Sequence, residues 1–133
     1  MKIRISSLDA LFSRFIRLRD GRCVCCADPA SPHKRDPKER CGAYRETVLH
    51  AAHIFGRGQK STRFHADNAV AFGFRCHAWQ DAHASEKWDW QAQRLGLARW
   101  NDLRRQAATP GKPDQALILL WLRQELQRLE TVR

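Results

Sequence analysis

The sequence predicts an α+β fold, with a short ββα core surrounded by helices. Apolar residues recur at helical spacing near both ends of the chain, as in amphipathic helices. Between these ends, residues 44–53 and 69–72 carry the β-branched and apolar residues of strands, and a further helix is expected from about Cys76. The length of 133 residues indicates a single domain. Its expected parts are an N-terminal helix at 7–20, a core at 22–84 and a C-terminal helical extension at 85–133.

The N-terminal helix is predicted from the spacing of its leucine, phenylalanine and isoleucine residues. Ser7 is a suitable N-cap, and Asp20 followed by Gly21 is a usual signal for a helix end. Three arginines lie largely off the apolar stripe and are expected on a solvated face: Arg14, Arg17 and Arg19.

The C-terminal extension is expected to contain three helices. Two are predicted within residues 85–107, and Thr109-Pro110-Gly111 interrupts the helical pattern. The last helix is expected from Pro113, a residue suited to a first helical turn, to about Thr131. Its apolar face would dock on the core or, alternatively, form the contact of a homodimer.

The net charge of +10 favours a polyanionic partner such as a nucleic acid. No run of about 18 apolar residues exists, so no membrane span is predicted. Charges interrupt the N-terminal segment, which therefore lacks the apolar region of an export signal. We accordingly expect a cytoplasmic protein whose five cysteines are reduced thiols or metal ligands.

The stretch from His50 to Asp81 carries residues suited to phosphodiester chemistry. His53 ends an apolar run, Asn68 lies in the segment opposite, and His77 follows a cysteine at the start of a helix. Such a strand–loop–strand–helix unit can hold one divalent cation beside a free imidazole base, as metal-assisted hydrolysis requires. The loop between the strands carries three cations that we expect to contact the DNA backbone: Arg57, Lys60 and Arg63.

The order and spacing of His53, Asn68 and His77 match the signature of the HNH endonucleases. The segments LFSRFIRLRDGRCVCC, AAHIFGRGQKSTRF and DNAVAFGFRCH further resemble phage recombination nucleases of the NinG/Rap kind. The resemblance covers roughly residues 8–95. It implies a treble-clef-like ββα-metal core and a DNA endonuclease of phage or prophage origin, acting in a bacterial host on branched or recombination intermediates.

The resemblance also implies a role for each of the three residues. His53 would be the general base, since a neutral imidazole can take a proton from the attacking water. Asn68 would orient this base through hydrogen bonds that tie the loop together, and His77 would bind the catalytic cation. The sequence leaves the ion open among magnesium, manganese, nickel and zinc.

The second ligand of this cation has two candidates. Many HNH proteins place an aspartate or histidine directly before the base, where this chain has Ala52. Asp81 lies four residues after His77, so the two side chains would share one face of a helix. His50 lies three residues before His53, so a regular strand would turn it to the opposite face and a bulge would be needed. Both candidates could contribute.

A structural zinc is the second metal expectation. Cys23 and Cys26 form a C-x-x-C turn, which lets two thiolates reach one tetrahedral zinc. In many HNH proteins a second such turn precedes the last histidine, but here Gly73 replaces its first cysteine and Cys76 alone remains. The alternatives are that Cys41 supplies the fourth thiolate, that Cys25 takes part, or that the zinc is absent and the cysteines pack as small apolar residues.

Residues 27–43 are expected to form an irregular surface loop with an exposed His33. Because Ala52 and Gly73 both depart from common HNH patterns, two other functions compete with the nuclease. One is a treble-clef module that binds DNA without cleaving it, and the other is a factor in phage packaging or assembly.

Overall fold

A computed structural model describes residues 3–34, 36–41 and 46–132, and this part of the chain has the predicted α+β class. β1 (His50–His53) and β2 (Ala69–Phe72) pair antiparallel as a two-stranded sheet. The described helices are α1 (Ile5–Asp20), α2 (Val24–Ala27), α3 (Phe74–Ala82), α4 (Ala84–Leu95), α5 (Leu97–Ala108) and α6 (Gln115–Thr131).

α1 is the central helix of the fold. It begins at Ile5, two residues before the predicted start, and no side chain caps it. It ends at Gly21, whose φ of 70° favours glycine and whose N–H donates to Arg17 O at 2.9 Å. Four of its side chains are at most 3% exposed and form the main core with β2: Leu8, Phe12, Phe15 and Ile16.

α6 docks on α1 and so closes the main core. Leu122 and Leu126 are buried there, and the ring of Trp121 lies 5.1 Å from that of Phe15. The helix begins at Gln115, because the Asp114 carboxylate accepts hydrogen bonds from two backbone N–H groups of the first turn. The prediction that Pro113 lies in the first turn was wrong, since the cap belongs to the residue after it.

β1 is much shorter than the predicted strand over residues 44–53. Glu46–Val48 form a 3-10 turn, and residues 42–45 lie outside the described part of the chain. The length of β1 is set by its partner, because β2 has only four residues between the turn that ends at Asn68 and the helix cap at Gly73.

The outer edge of β2 is covered by the end of α1. Arg19 donates to the carbonyls of Ala66 and Ala69, both at 2.8 Å, and Asp20 accepts from the N–H of Ala71 at 2.8 Å. The prediction that Arg19 lies on a solvated face was therefore wrong. Its guanidinium and the Asp20 carboxylate occupy backbone groups that an edge strand would otherwise expose.

α3 follows β2 directly, with Gly73 at its N-cap, so it begins two residues before the predicted position. α4 and α5 form a second, smaller core with the chain that leaves β1. Its buried members are Ile54, Phe55, Leu95, Trp100 and Leu103.

Candidate metal and catalytic site

β1 and α3 present the predicted site residues. His50 pairs with Phe72 and His53 with Ala69, in regular register over all four residue pairs. Side chains alternate along such a strand, so His50 and His53 leave it on opposite faces. The bulge that would bring the two imidazoles together is not part of this sheet.

His77 contacts both His50 and Asp81 beside the sheet, through different ring nitrogens, and we call the three residues the His50–His77–Asp81 group. The Nδ1 atoms of His50 and His77 lie 3.0 Å apart, and His77 Nε2 lies 3.3 Å from Asp81 Oδ2. The helical spacing of four residues brings the last two together, as the sequence predicts. His50 reaches His77 from the strand, so both candidate companions of His77 contact it.

Burial lowers the pKa of His77 below its ordinary value, and the Asp81 carboxylate opposes this shift only in part. A neutral imidazole has a free ring nitrogen lone pair and is the form that binds metal ions. His77 is therefore in the protonation state that cation binding needs at neutral pH.

Lys87 connects this group to the base candidate. Its Nζ donates to Asp81 Oδ1 at 3.0 Å and to the backbone oxygen of His53 at 3.2 Å, and the residue is only 6% exposed. Asp81 thus has one oxygen beside His77 and the other beside a cation. Among the described residues, the donor atoms of His50, His77 and Asp81 do not gather within 4.8 Å of one another, as those of the cysteines do.

His53 is half-buried at the end of β1. Its Nε2 lies 3.0 Å from the backbone oxygen of Arg63, and its ring centroid lies 5.6 Å from that of Phe12. A carbonyl only accepts, so Nε2 carries the proton and Nδ1 keeps its lone pair. Burial lowers the pKa of His53 below its ordinary value, with the positive charge of Arg57 acting in the same direction. His53 is a neutral proton acceptor at neutral pH.

Asn68 ties the loop between the strands together. The residue is fully buried, its Oδ1 accepts from Phe55 N at 2.8 Å, and its Nδ2 donates to Phe55 O and Thr62 O, both at 2.9 Å. The carboxamide thereby ties the beginning of the loop, at Phe55, and its middle, at Thr62, to its end at Asn68.

The three cations of this loop differ in their surroundings. Arg57 and Lys60 are exposed. Arg63 instead forms a two-point ion pair with Asp9 of α1, at 2.9 and 2.6 Å, and donates to Arg57 O at 3.3 Å. Its guanidinium is directed toward α1 and not toward the loop surface, so it supports the loop where Arg57 and Lys60 can face a ligand.

Four cysteines gather in what we call the four-thiol group. The sulfurs of Cys23, Cys26, Cys41 and Cys76 all lie within 4.8 Å of one another, with Cys26–Cys76 at 3.6 Å and Cys41–Cys76 at 3.2 Å. Tetrahedral Zn–S bonds of about 2.3 Å place their sulfurs about 3.8 Å apart. The donors are thus of the type and spacing that hold a zinc ion, and Cys41 fills the position that Gly73 leaves.

Backbone N–H groups also point at these sulfurs. Cys41 N donates to Cys26 Sγ at 3.3 Å. The pKa of Cys23 falls to about 5, mainly through a hydrogen bond from the Cys76 thiol and further through N–H groups of Gly73 and Cys26. The same contact raises the pKa of Cys76. Gly73 therefore lacks a thiol but still contributes a donor to the group.

Sequence reasoning missed three residues of this region. Asp9 and Lys87 are single charges on helices, and no spacing marks them as partners of Arg63 and Asp81. His33 was expected to be exposed, and that prediction was wrong. Its ring stacks on Trp79 at 4.6 Å, and its Nδ1 lies 3.9 Å from Cys25 Sγ.

The chain matches no protein-family model, no curated protein and no solved structure. None of the helices in the described residues has the length and apolar character to cross a membrane.

Proposed function

We propose that this protein is a metal-dependent DNA endonuclease whose catalytic cation is held by His77 together with His50 or Asp81. The main support is that His77 contacts His50 through Nδ1 and Asp81 through Nε2, next to a loop that exposes Arg57 and Lys60. Imidazole and carboxylate donors suit several divalent ions, including magnesium, manganese, nickel and zinc.

In the proposed reaction the cation would polarise the scissile phosphate and neutralise the leaving oxygen. His53 would take a proton from the attacking water at Nδ1, while its Nε2–H stays on the Arg63 carbonyl. His50 and His53 leave β1 on opposite faces. The scissile phosphate would therefore lie across the end of the strand, where His53 is the last residue.

The exposed loop would hold the DNA backbone near this position. Asn68 holds the loop through its hydrogen bond with Phe55, and two hydrogen bonds between Ser61 and Gln106 attach the loop to α5. A loop held at both sides presents Arg57 and Lys60 in a defined place, and their charge would dock the phosphates or stabilise the transition state.

The four-thiol group would hold a structural zinc in this proposal. Cys23 and Cys26 come from the α2 turn, Cys41 from the following loop and Cys76 from α3. An ion at this position would join three parts of the chain that already pack against the same core. The resemblance to NinG/Rap nucleases supports branched DNA as the substrate and a phage gene expressed in the bacterial cytoplasm.

A second candidate is a DNA-binding module without catalysis. The ion pair between Lys87 and Asp81 favours it, because an ammonium already neutralises the carboxylate that would face the cation. The donor atoms of the His50–His77–Asp81 group are more widely spaced than those of the four-thiol group, which also favours the binding module.

Cleavage of supercoiled plasmid and of a synthetic four-way junction, with and without Mn²⁺ or Mg²⁺, distinguishes the two candidates. We expect metal-dependent cleavage by the native protein and a loss of at least about a hundredfold in His53→Ala, the usual contribution of a general base. Binding of the same DNA, measured by gel shift, should be retained.

His83→Ala is the matched control, because its imidazole stacks on Trp79 and belongs neither to the His50–His77–Asp81 group nor to the contacts of His53. It should cleave like the native protein. Tight DNA binding without cleavage in either metal would overturn the nuclease and leave the binding module. Equal cleavage by His53→Ala would overturn the role of His53.

A further inference from the structure

Cys25 and His33 form a second donor group around Cys76. The Cys25 sulfur, His33 Nδ1 and the Cys76 sulfur lie within 4.8 Å of one another. Cys76 is the one residue that this group shares with the four-thiol group. Its sulfur therefore lies between two sets of donors, one on each side.

His33 is held in place by its loop and by its ring. The Asp28 carboxylate accepts from Ala30 N at 2.9 Å and from Trp90 Nε1 at 2.8 Å, which fixes the turn that leads to His33. The imidazole then stacks on Trp79 with an angle of 8° between the rings. A histidine so oriented directs Nδ1 toward Cys25 without further rearrangement.

Cys25 has the surroundings of a buried sulfur that carries negative charge. It is 2% exposed, Gln80 Nε2 donates to its sulfur at 3.4 Å, and the Ser31 hydroxyl lies 3.1 Å from it. The fully buried Gln80 keeps Oε1 without a hydrogen-bond partner. Polar groups that hydrogen-bond to a ligating atom in this way tune and orient metal sites in proteins.

A cavity of about 200 Å³ is lined in part by Cys25, Ser31 and His33, while Cys76 lies outside its lining. It leaves room for an ion and for a water molecule that completes the coordination. Two sulfurs and one imidazole are the donors that soft and borderline ions such as zinc select.

We propose that Cys25, His33 and Cys76 bind a second metal ion of the zinc class, with the Cys76 thiolate bridging it to the ion of the four-thiol group. A thiolate has enough lone pairs to bind two ions, and each thiol releases its proton when the metal binds. A water molecule in the cavity would supply the remaining ligand. This site is independent of the proposed nuclease activity, because no residue of it belongs to the His50–His77–Asp81 group.

Cobalt(II) titration of the full chain tests the proposal, in a His50→Ala/His77→Ala background that removes the proposed catalytic ion. We expect two bound equivalents, with thiolate-to-cobalt absorption that rises through the second. The electron paramagnetic resonance signal of the first ion should fall as the second binds, because a bridging thiolate couples the two spins. Cys25→Ser and His33→Gln should each bind one equivalent and keep the uncoupled signal.

His83→Gln is the matched control, since His83 also stacks on Trp79 but lies outside the donor group. It should bind two equivalents, as the parent does. One equivalent in the parent, or two in Cys25→Ser and His33→Gln, would overturn the second site. No bound cobalt in the parent would overturn both thiolate sites.

Discussion

Asn68 is a polar side chain in a fully buried position, and each of its polar atoms has a hydrogen-bond partner. Asn68→Ala would remove the side-chain partner of the Phe55 N–H and of the Phe55 and Thr62 carbonyls, of which the Thr62 carbonyl keeps the N–H of His65. We expect a loss of about 2–3 kcal/mol in the free energy of unfolding, measured by denaturant titration. The exposed Asn101→Ala on α5 should change it by less than about 0.5 kcal/mol. Equal effects of the two variants would contradict the structural role of Asn68.

His53 should set the acidic limit of activity. Its pKa is lowered from 6.5 by burial, and only the neutral ring can accept a proton. The acidic limb of kcat/KM against pH should therefore have its midpoint below 6.5. The NMR titration of His53, identified by its absence in His53→Ala, should give the same midpoint. A midpoint above 6.5 in both would contradict the burial argument.

The lowered pKa of His53 also makes the stability of the fold depend on pH. The unfolded chain binds this proton more readily than the folded chain does. The stability that a neutral His53 contributes is therefore complete above about pH 6.5 and is lost as the pH falls toward the lower folded pKa.

At the scale of elements, the loop between β1 and β2 combines exposed cations with an internal ion pair. Arg57→Ala and Lys60→Ala should weaken DNA binding without lowering Tm. Each should reduce the slope of log affinity against log salt concentration by about one, the value of one phosphate contact. Arg63→Ala should lower Tm instead, because it leaves Asp9 without its partner. Binding isotherms at several salt concentrations and thermal melts measure the two effects. An unchanged Tm in Arg63→Ala would contradict its supporting role.

The longer helices were predicted well where they bury a periodic apolar face, as α1 does with Leu8, Phe12 and Phe15. Their boundaries were less accurate. α6 starts after the Asp114 cap and therefore after Pro113, and α3 starts after Gly73, before Cys76. β1 was predicted too long because its pairing is limited to the four residues of β2, and the apolar pattern of residues 44–53 carries no sign of that limit.

In the candidate site, contacts between residues close in sequence could be predicted, whereas contacts between distant residues could not be fixed. The helical spacing of His77 and Asp81 is local, so the sequence contains it. The meeting of His50 with His77, the approach of Cys41 to Cys76 and the ion pair of Asp9 with Arg63 join distant positions. Such contacts follow from packing, so the sequence offered His50 and Cys41 only as alternatives and did not predict the ion pair of Asp9 with Arg63.

At the scale of the whole molecule, the four-thiol group should stabilise the fold when it binds zinc. Binding to the folded state adds about 4 kcal/mol when the free metal exceeds its dissociation constant a thousandfold. We therefore expect metal-stripped protein to melt at lower temperature and to recover when zinc is added back. Cys41→Ser should lose most of this response. An identical Tm with and without zinc would contradict a structural metal.

Cys76 and His77 are neighbours on α3, so one peptide bond joins a residue of the four-thiol group to a residue of the proposed catalytic cation site. A cation between exposed donors exchanges with solvent readily, whereas an ion enclosed by thiolates leaves slowly. Chelators would then act on two time scales: a rapid inhibition that added metal reverses, and a slow one in which the beginning of α3 loosens and carries His77 with it. The activity of a sample would then depend on how long it had been exposed to the chelator as well as on its metal content.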